Sequence, residues 1–163
     1  MPQFQEHIDH AKHNLNILSQ MNELIPDSWD WQVTISFYTA LHLINAHLAK
    51  INLQYRSHQD VNNAINPHNQ LAIGKLPQSE YIAFVSLQNL SRRSRYLVQV
   101  KDRGLASTSA SKTYEKHLAK SSRHLNTLID FFCKKYGLTF NPISLQCHDL
   151  KANELAYIQK IVS

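Results

Sequence analysis

The stretch SRRSRYLVQVKDR, residues 91–103, gathers Arg92, Arg93, Arg95, Lys101 and Arg103 around a single acid. Arg92 and Arg95 are three apart, and Arg92 and Tyr96 four apart, so on a helix these three side chains share one face. A guanidinium presents forked N–H donors that match phosphate oxygens, and an adjoining aromatic ring can stack a base. The same arginines could instead close a helix by pairing with bundle carboxylates such as Asp30, Asp60 or Glu80. Acid–base chemistry near neutral pH points to histidine. His42 follows Tyr38 by one turn in FYTALH. It is the candidate general base or proton donor at a bundle cleft, although a half-buried Tyr38–His42 contact is also, and more often, what a satisfied polar pair in a core would be.

Other chemistries lose support. His7, His10 and His13 recur every three residues and so drift around a helix; only neighbours could share an ion, and a polar surface stripe accounts for them better. His42 and His47, five apart, point away from each other. Cys133 and Cys147 lack a C-x-x-C spacing and read as reduced core thiols. Neither a G-x-S-x-G elbow nor a Gly-rich phosphate loop is present. No metal and no cofactor is expected.

The elements that must hold these residues are helical. The chain has 163 residues, 43% of them hydrophobic and 18% charged, with three glycines and five prolines. Such a composition suits one domain, 1–163, built from long helices with few tight turns. Net charge is +5, which favours a polyanionic partner where the excess is clustered. A three-and-four stripe of Phe4, Ile8, Ala11, Leu15, Leu18, Met21 and Ile25 predicts a first helix that Pro26 ends. Asp27 or Ser28 then caps a second, antiparallel to the first and running to about Lys50, with Val33, Phe37, Ala40, Leu41, Ile44 and Leu48 inward. Ser57 caps a short third helix with Val61, Ala64 and Ile65 inward, and residues 66–78 read as loop.

A fourth helix starts at Ser79 and Glu80, burying Ala83, Leu87, Leu90, Ser94 and Leu97, and ends in the basic stretch. Residues 102–112 are the expected flexible loop. A fifth helix spans about Ser109 to Tyr136, with Tyr114, Leu118, Ser121, Leu125, Leu128 and Phe132 inward and Gly137 in the left-handed position after it. Residues 139–147 read as extended or irregular, and Leu155, Ile158 and Ile161 predict a last helix over about 149–161. The fold class is all-α, an up-and-down helical bundle of five to six helices. With no secretory signal and no apolar run of about 18 residues, the chain is expected to be cytoplasmic and without a membrane partner.

The order of three segments carries a family resemblance: W-x-V-x-x-x-F-Y-x-A-L-H-x-I-x-A over Trp31 to Ala46, then RSHQDV, then Y-x-x-x-x-x-L-x-x-x-S-R-x-S-R-Y over Tyr81 to Tyr96. This order resembles the HEPN superfamily of small all-α domains, covering residues 28–97, with a HEPN-like core at about 28–136. The resemblance implies a bundle that often dimerises, in toxin–antitoxin, defence or RNA-processing systems, and in many members a metal-independent ribonuclease marked by Arg followed after four to six residues by His. That signature is absent here: Arg56 precedes His58 by two, and Arg123 adjoins His124. The resulting expectation is a homodimeric RNA- or nucleotide-phosphate-binding protein with a degenerate or rearranged nuclease site. Arg92, Arg95, Tyr96 and Tyr38 would hold the ligand, with His42 and His58 as the acid–base pair if RNA is cut by 2′-hydroxyl attack. The alternative is a non-catalytic adaptor or antitoxin-like module that uses the Arg–Tyr patch to meet a cognate protein.

Overall fold

A computed structural model describes residues 1–96 and 112–162. Leu97, Lys101, Arg103, the expected loop apart from Lys112, and the expected helix start at Ser109 lie outside the described residues. Five helices are described: α1 (Phe4–Leu24), α2 (Trp29–Lys50), α3 (His58–Ile65), α4 (Gln78–Tyr96) and α5 (Glu115–Tyr136). The all-α bundle read from the sequence is the observed architecture. Among the described residues, no helix is long and apolar enough to cross a membrane.

α2 is the axis of the bundle, packing against α1, α4 and α5, while α4 also packs against α5. Val33, Phe37, Ala40, Leu43, Ile44, Ala46 and Leu48 are buried nearly around its circumference. Its buried hydroxyls turn back on the helix: Thr34, Ser36 and Thr39 donate to the carbonyls of Asp30, Gln32 and Ile35 at 2.8, 2.8 and 2.9 Å. This satisfies three hydroxyls that would otherwise be costly to bury. On α1, Ile8, Ala11, Leu15 and Leu18 form the buried stripe, whereas Ile25 ends up 56% exposed. Pro26 stops the helix before Ile25 can turn inward.

Local chemistry sets the other boundaries. The Ser57 hydroxyl accepts the Asp60 N–H and starts α3. Ser28 occupies the N-cap position of α2, yet its hydroxyl donates to the Ile25 carbonyl at 2.7 Å instead of capping the helix. α5 begins at Glu115 because the Tyr114 N–H is taken by Nδ1 of His117, and it ends with Gly137 in the left-handed conformation, φ 63°. Tyr114, expected inward, is 38% exposed.

The tail corrects the expected C-terminal helix. Residues 149–157 are turns and irregular chain, and Ile158–Lys160 forms β2, paired in parallel with β1 (Ile143–Leu145) so that Ile143 faces Ile158. The apolar spacing was legible, but the partners were not. Asn126 of α5 accepts the Tyr157 N–H at 2.8 Å, and Arg123 reaches the Asp149 carbonyl at 2.8 Å and the Glu154 carboxylate. Asn153 adopts φ 58°, which interrupts any helix there. A short helix is marginal without tertiary support, and α5 instead binds the tail through its polar groups.

Candidate functional site

Where the start of α3 faces the end of α4, a cleft of about 310 Å³ is lined by His58, Gln59, Asn62, Gln88, Arg92, Arg95 and Tyr96. Gln88, Arg92 and Tyr96 follow one another at intervals of four along α4, so one helix face supplies most of one wall. His58 and Asn62, also four apart, present the first turns of α3 opposite. Phe37 of α2 lies beneath, its ring centroid 5.5 Å from that of His58.

Arg95 is the central cation. Its guanidinium carbon stands 5.1 Å from the Tyr96 ring centroid, 5.8 Å from Tyr38 and 5.9 Å from Phe37, three aromatic faces around one charge. Nη1 donates to the Tyr38 hydroxyl at 3.3 Å, and Nε leans on the Ser91 carbonyl at 3.4 Å. The side chain is thereby held in place, with Nη2 meeting no acceptor among the described residues. Arg92 is exposed, as is Tyr96 at 63%.

Two of the three expected carboxylate partners, Asp60 and Glu80, are engaged elsewhere. Asp60 accepts from the Ser57 hydroxyl at 2.6 Å, and Glu80 from the Ser79 hydroxyl at 2.5 Å. Among the described residues the ion pairs are Arg123–Glu154, Lys134–Asp130 and His148–Glu115, so none of them neutralises Arg92 or Arg95. Arg93 departs from this face, its Nε and Nη2 donating to the Lys112 carbonyl at 3.1 and 2.9 Å.

His58 is held below the ordinary imidazole range, first by the partial burial of its ring and then by the Arg95 charge. At neutral pH it is therefore uncharged, and adds a donor and an acceptor but no third cation. Gln88, only 8% exposed, accepts from Asn62 Nδ2 through Oε1 at 2.7 Å, which leaves its own Nε2 without an acceptor among the described residues. Asn62 Oδ1 is buried and likewise unpartnered.

The structure thus brings Tyr38, His58, Arg92, Arg95 and Tyr96 into one neighbourhood. His42 belongs to another. Its Nδ1 lies 3.2 Å from Nδ1 of His7, and its ring centroid is 4.2 Å from that of His10. Burial, then the charges of His10 and His7, holds its pKa at about 4. Tyr38, one turn earlier, turns its hydroxyl to Arg95. His47 is a core residue whose ring nitrogens meet the Tyr136 hydroxyl at 2.6 Å and the Gly74 carbonyl at 3.0 Å.

Gln59, Asn62 and Gln88 were missed in the sequence. The signal for Gln88 was its four-residue offset from Arg92, but an amide at that spacing is common on any exposed helix. Cys133 and Cys147 are buried free thiols, and among the described residues no three His, Cys, Asp or Glu side chains are grouped to hold a metal. Comparison with protein-family models, with curated proteins and with solved structures gives no match.

Proposed function

We propose that this protein binds RNA or a nucleotide through its phosphate in the cleft between α3 and α4. The observation that carries the reading is the pair Arg92 and Arg95 lining one cleft with no carboxylate among its walls. A guanidinium partly withdrawn from water is costly to leave unpaired, and a phosphate is the anion whose oxygens match its forked donors. The exposed Tyr96 ring adjoins the guanidinium and offers a base its face. The HEPN-like order of segments agrees with an RNA or nucleotide ligand.

Binding without cleavage is the better-supported form. Metal-free attack by a 2′-hydroxyl uses a base and an acid, and the cleft walls hold one imidazole, that of His58. His42, the other expected partner, has its ring contacts with α1.

The test is anisotropy of a labelled single-stranded RNA at two salt concentrations, with wild type beside Arg92→Ala/Arg95→Ala. Loss of two phosphate contacts should reduce the slope of log affinity against log salt by roughly 1.4 and weaken low-salt binding more than tenfold. Unchanged affinity in a folded double variant would refute the assignment, and the Arg–Tyr face would then serve a protein partner.

A further inference from the structure

We propose that the cleft selects a terminal phosphomonoester, on a free nucleotide or at the end of an RNA strand, over the internal phosphodiesters of a chain. The inference rests on the phosphate-binding reading above and narrows it to one kind of phosphate.

The charge of the walls sets the first condition. Of the seven lining residues two are permanent cations and none is an acid. His58 stays neutral for the reasons given above, so the walls carry +2. An internal phosphodiester brings a single negative charge, whereas a phosphomonoester brings about −1.5 to −2 at pH 7. Only the latter balances both guanidinia, of which Arg95 is partly withdrawn from water and Arg92 is exposed.

Donor number sets the second. A monoester exposes three terminal oxygens, each able to accept more than one hydrogen bond, while a diester exposes two. The cleft is rich in unspent donors: Arg95 Nη2, the Arg92 guanidinium and Gln88 Nε2 all lack an acceptor among the described residues. Gln88 gives the strongest indication, because the residue is only 8% exposed, its Oε1 is engaged by Asn62, and its Nε2 meets no acceptor among the described residues at the cleft wall.

Size sets the third. A volume of about 310 Å³ lies at the lower end of the roughly 300–1,000 Å³ typical of ligand pockets, which suits one nucleotide unit rather than several. The phosphate would sit between Arg92, Arg95 and Gln88, with the base against Tyr96.

The experiment uses the full chain with labelled RNA of one sequence carrying a 5′-phosphate, a 3′-phosphate or hydroxyls at both ends. Adenosine monophosphate, adenosine and inorganic phosphate serve as competitors. A phosphorylated end is expected to bind roughly tenfold or more tighter than the all-hydroxyl strand, the gain that one or two additional charge-assisted hydrogen bonds supply. Adenosine monophosphate should displace it, and adenosine should not. Gln88→Leu should remove most of the preference while leaving residual, salt-sensitive binding; Arg92→Ala, at an exposed position, should do so without loss of thermal stability. If adenosine monophosphate alone benefits from the monoester, the source is a free nucleotide; if phosphorylated ends alone benefit, it is an RNA terminus. Equal, salt-sensitive binding of all three strands would overturn the terminal-phosphate inference and leave the proposed function standing. No binding of any strand or nucleotide at low salt would overturn both, and displacement by inorganic phosphate as effective as by the nucleotide would overturn the nucleotide part.

Discussion

Acid should destabilise this fold through histidines kept neutral in its packing, and His42 allows the effect to be worked out. Its ring is set against His7 and His10 of α1, and its pKa lies at about 4, against 6.5 for an ordinary imidazole, because of burial first and the His10 and His7 charges second. His7 is itself lowered by burial and by His10, while Glu6 acts in the opposite sense. Above pH 6.5 neither folded nor unfolded chain protonates His42, and its contribution to stability is fully present. Between 6.5 and about 4 the unfolded chain binds the proton and the folded chain refuses it, so stability falls as the pH falls. Conversion of the whole difference would be worth roughly 3 kcal/mol, and solvent around a half-buried ring reduces it to about 1–2 kcal/mol. The assay is urea unfolding of wild type and His42→Leu at pH 7.5 and 5.0. This interval takes in 6.5 to 5.0, a little over half of the span between the two pKa values, so wild type should lose about 1 kcal/mol more than the variant, with m unchanged. An equal loss in both proteins would show that His42 is not a source of the acid sensitivity and would refute the reasoning.

Two further substitutions test how the frame is held. At Gly74 an added Cβ would lie 2.7 Å from Leu48 Cδ2 and 3.2 Å from the Ala64 carbonyl oxygen; Leu48 is 1% exposed and has nowhere to swing, so Gly74→Ala should cost about 1–3 kcal/mol in urea unfolding, and no cost would mean that the 66–77 segment shifts freely. Asn22 is fully buried, accepts the Gln146 N–H at 2.6 Å and donates to the Gln146 carbonyl at 3.1 Å and to Gln32 Oε1 at 2.8 Å. Asn22→Leu should cost about 1–3 kcal/mol for each group left unsatisfied and should speed amide exchange across β1 and β2 well before the helices; uniform protection of the tail would contradict its anchoring role.

What could be read from the sequence divides along a physical line. Helix positions followed from apolar periodicity, because Ile8, Ala11, Leu15 and Leu18, or Val33, Phe37, Ala40 and Ile44, make the same pattern whatever packs against them. Ser57 and Gly137 were legible for a similar reason, since capping chemistry is local. The Arg–Tyr face of α4 was visible as a spacing. The tail was not, because its strand depends on Asn126, Arg123 and Asn22, residues distant in sequence whose amide and guanidinium groups give no sign of what they will meet. The same holds for Gln88 and Asn62, whose pairing bridges two helices separated by a loop.

The separation of Tyr38 from His42 has a geometric origin that bears on chemistry. Four residues along an α-helix advance the side chain by about 6 Å and rotate it by about 40°. On α2 that single turn is enough to pass from the helix on one side to the helix on the other: Tyr38 meets Arg95 of α4, and His42 meets His7 and His10 of α1. A central helix with neighbours on several sides has this consequence throughout its length, so two residues that share a stripe need not share a site. Here it parts the two imidazoles that the sequence offered as an acid–base pair. One is left as a neutral ring beside the guanidinia, and the other is placed where its protonation opposes packing. In the proposed reading the first can donate to or accept from a bound phosphate or sugar, and by the linkage worked above the second makes the bundle sensitive to acid. On that reading the guanidinia hold the phosphate, and the cleft walls carry one histidine fewer than a two-imidazole cleavage of RNA would use there.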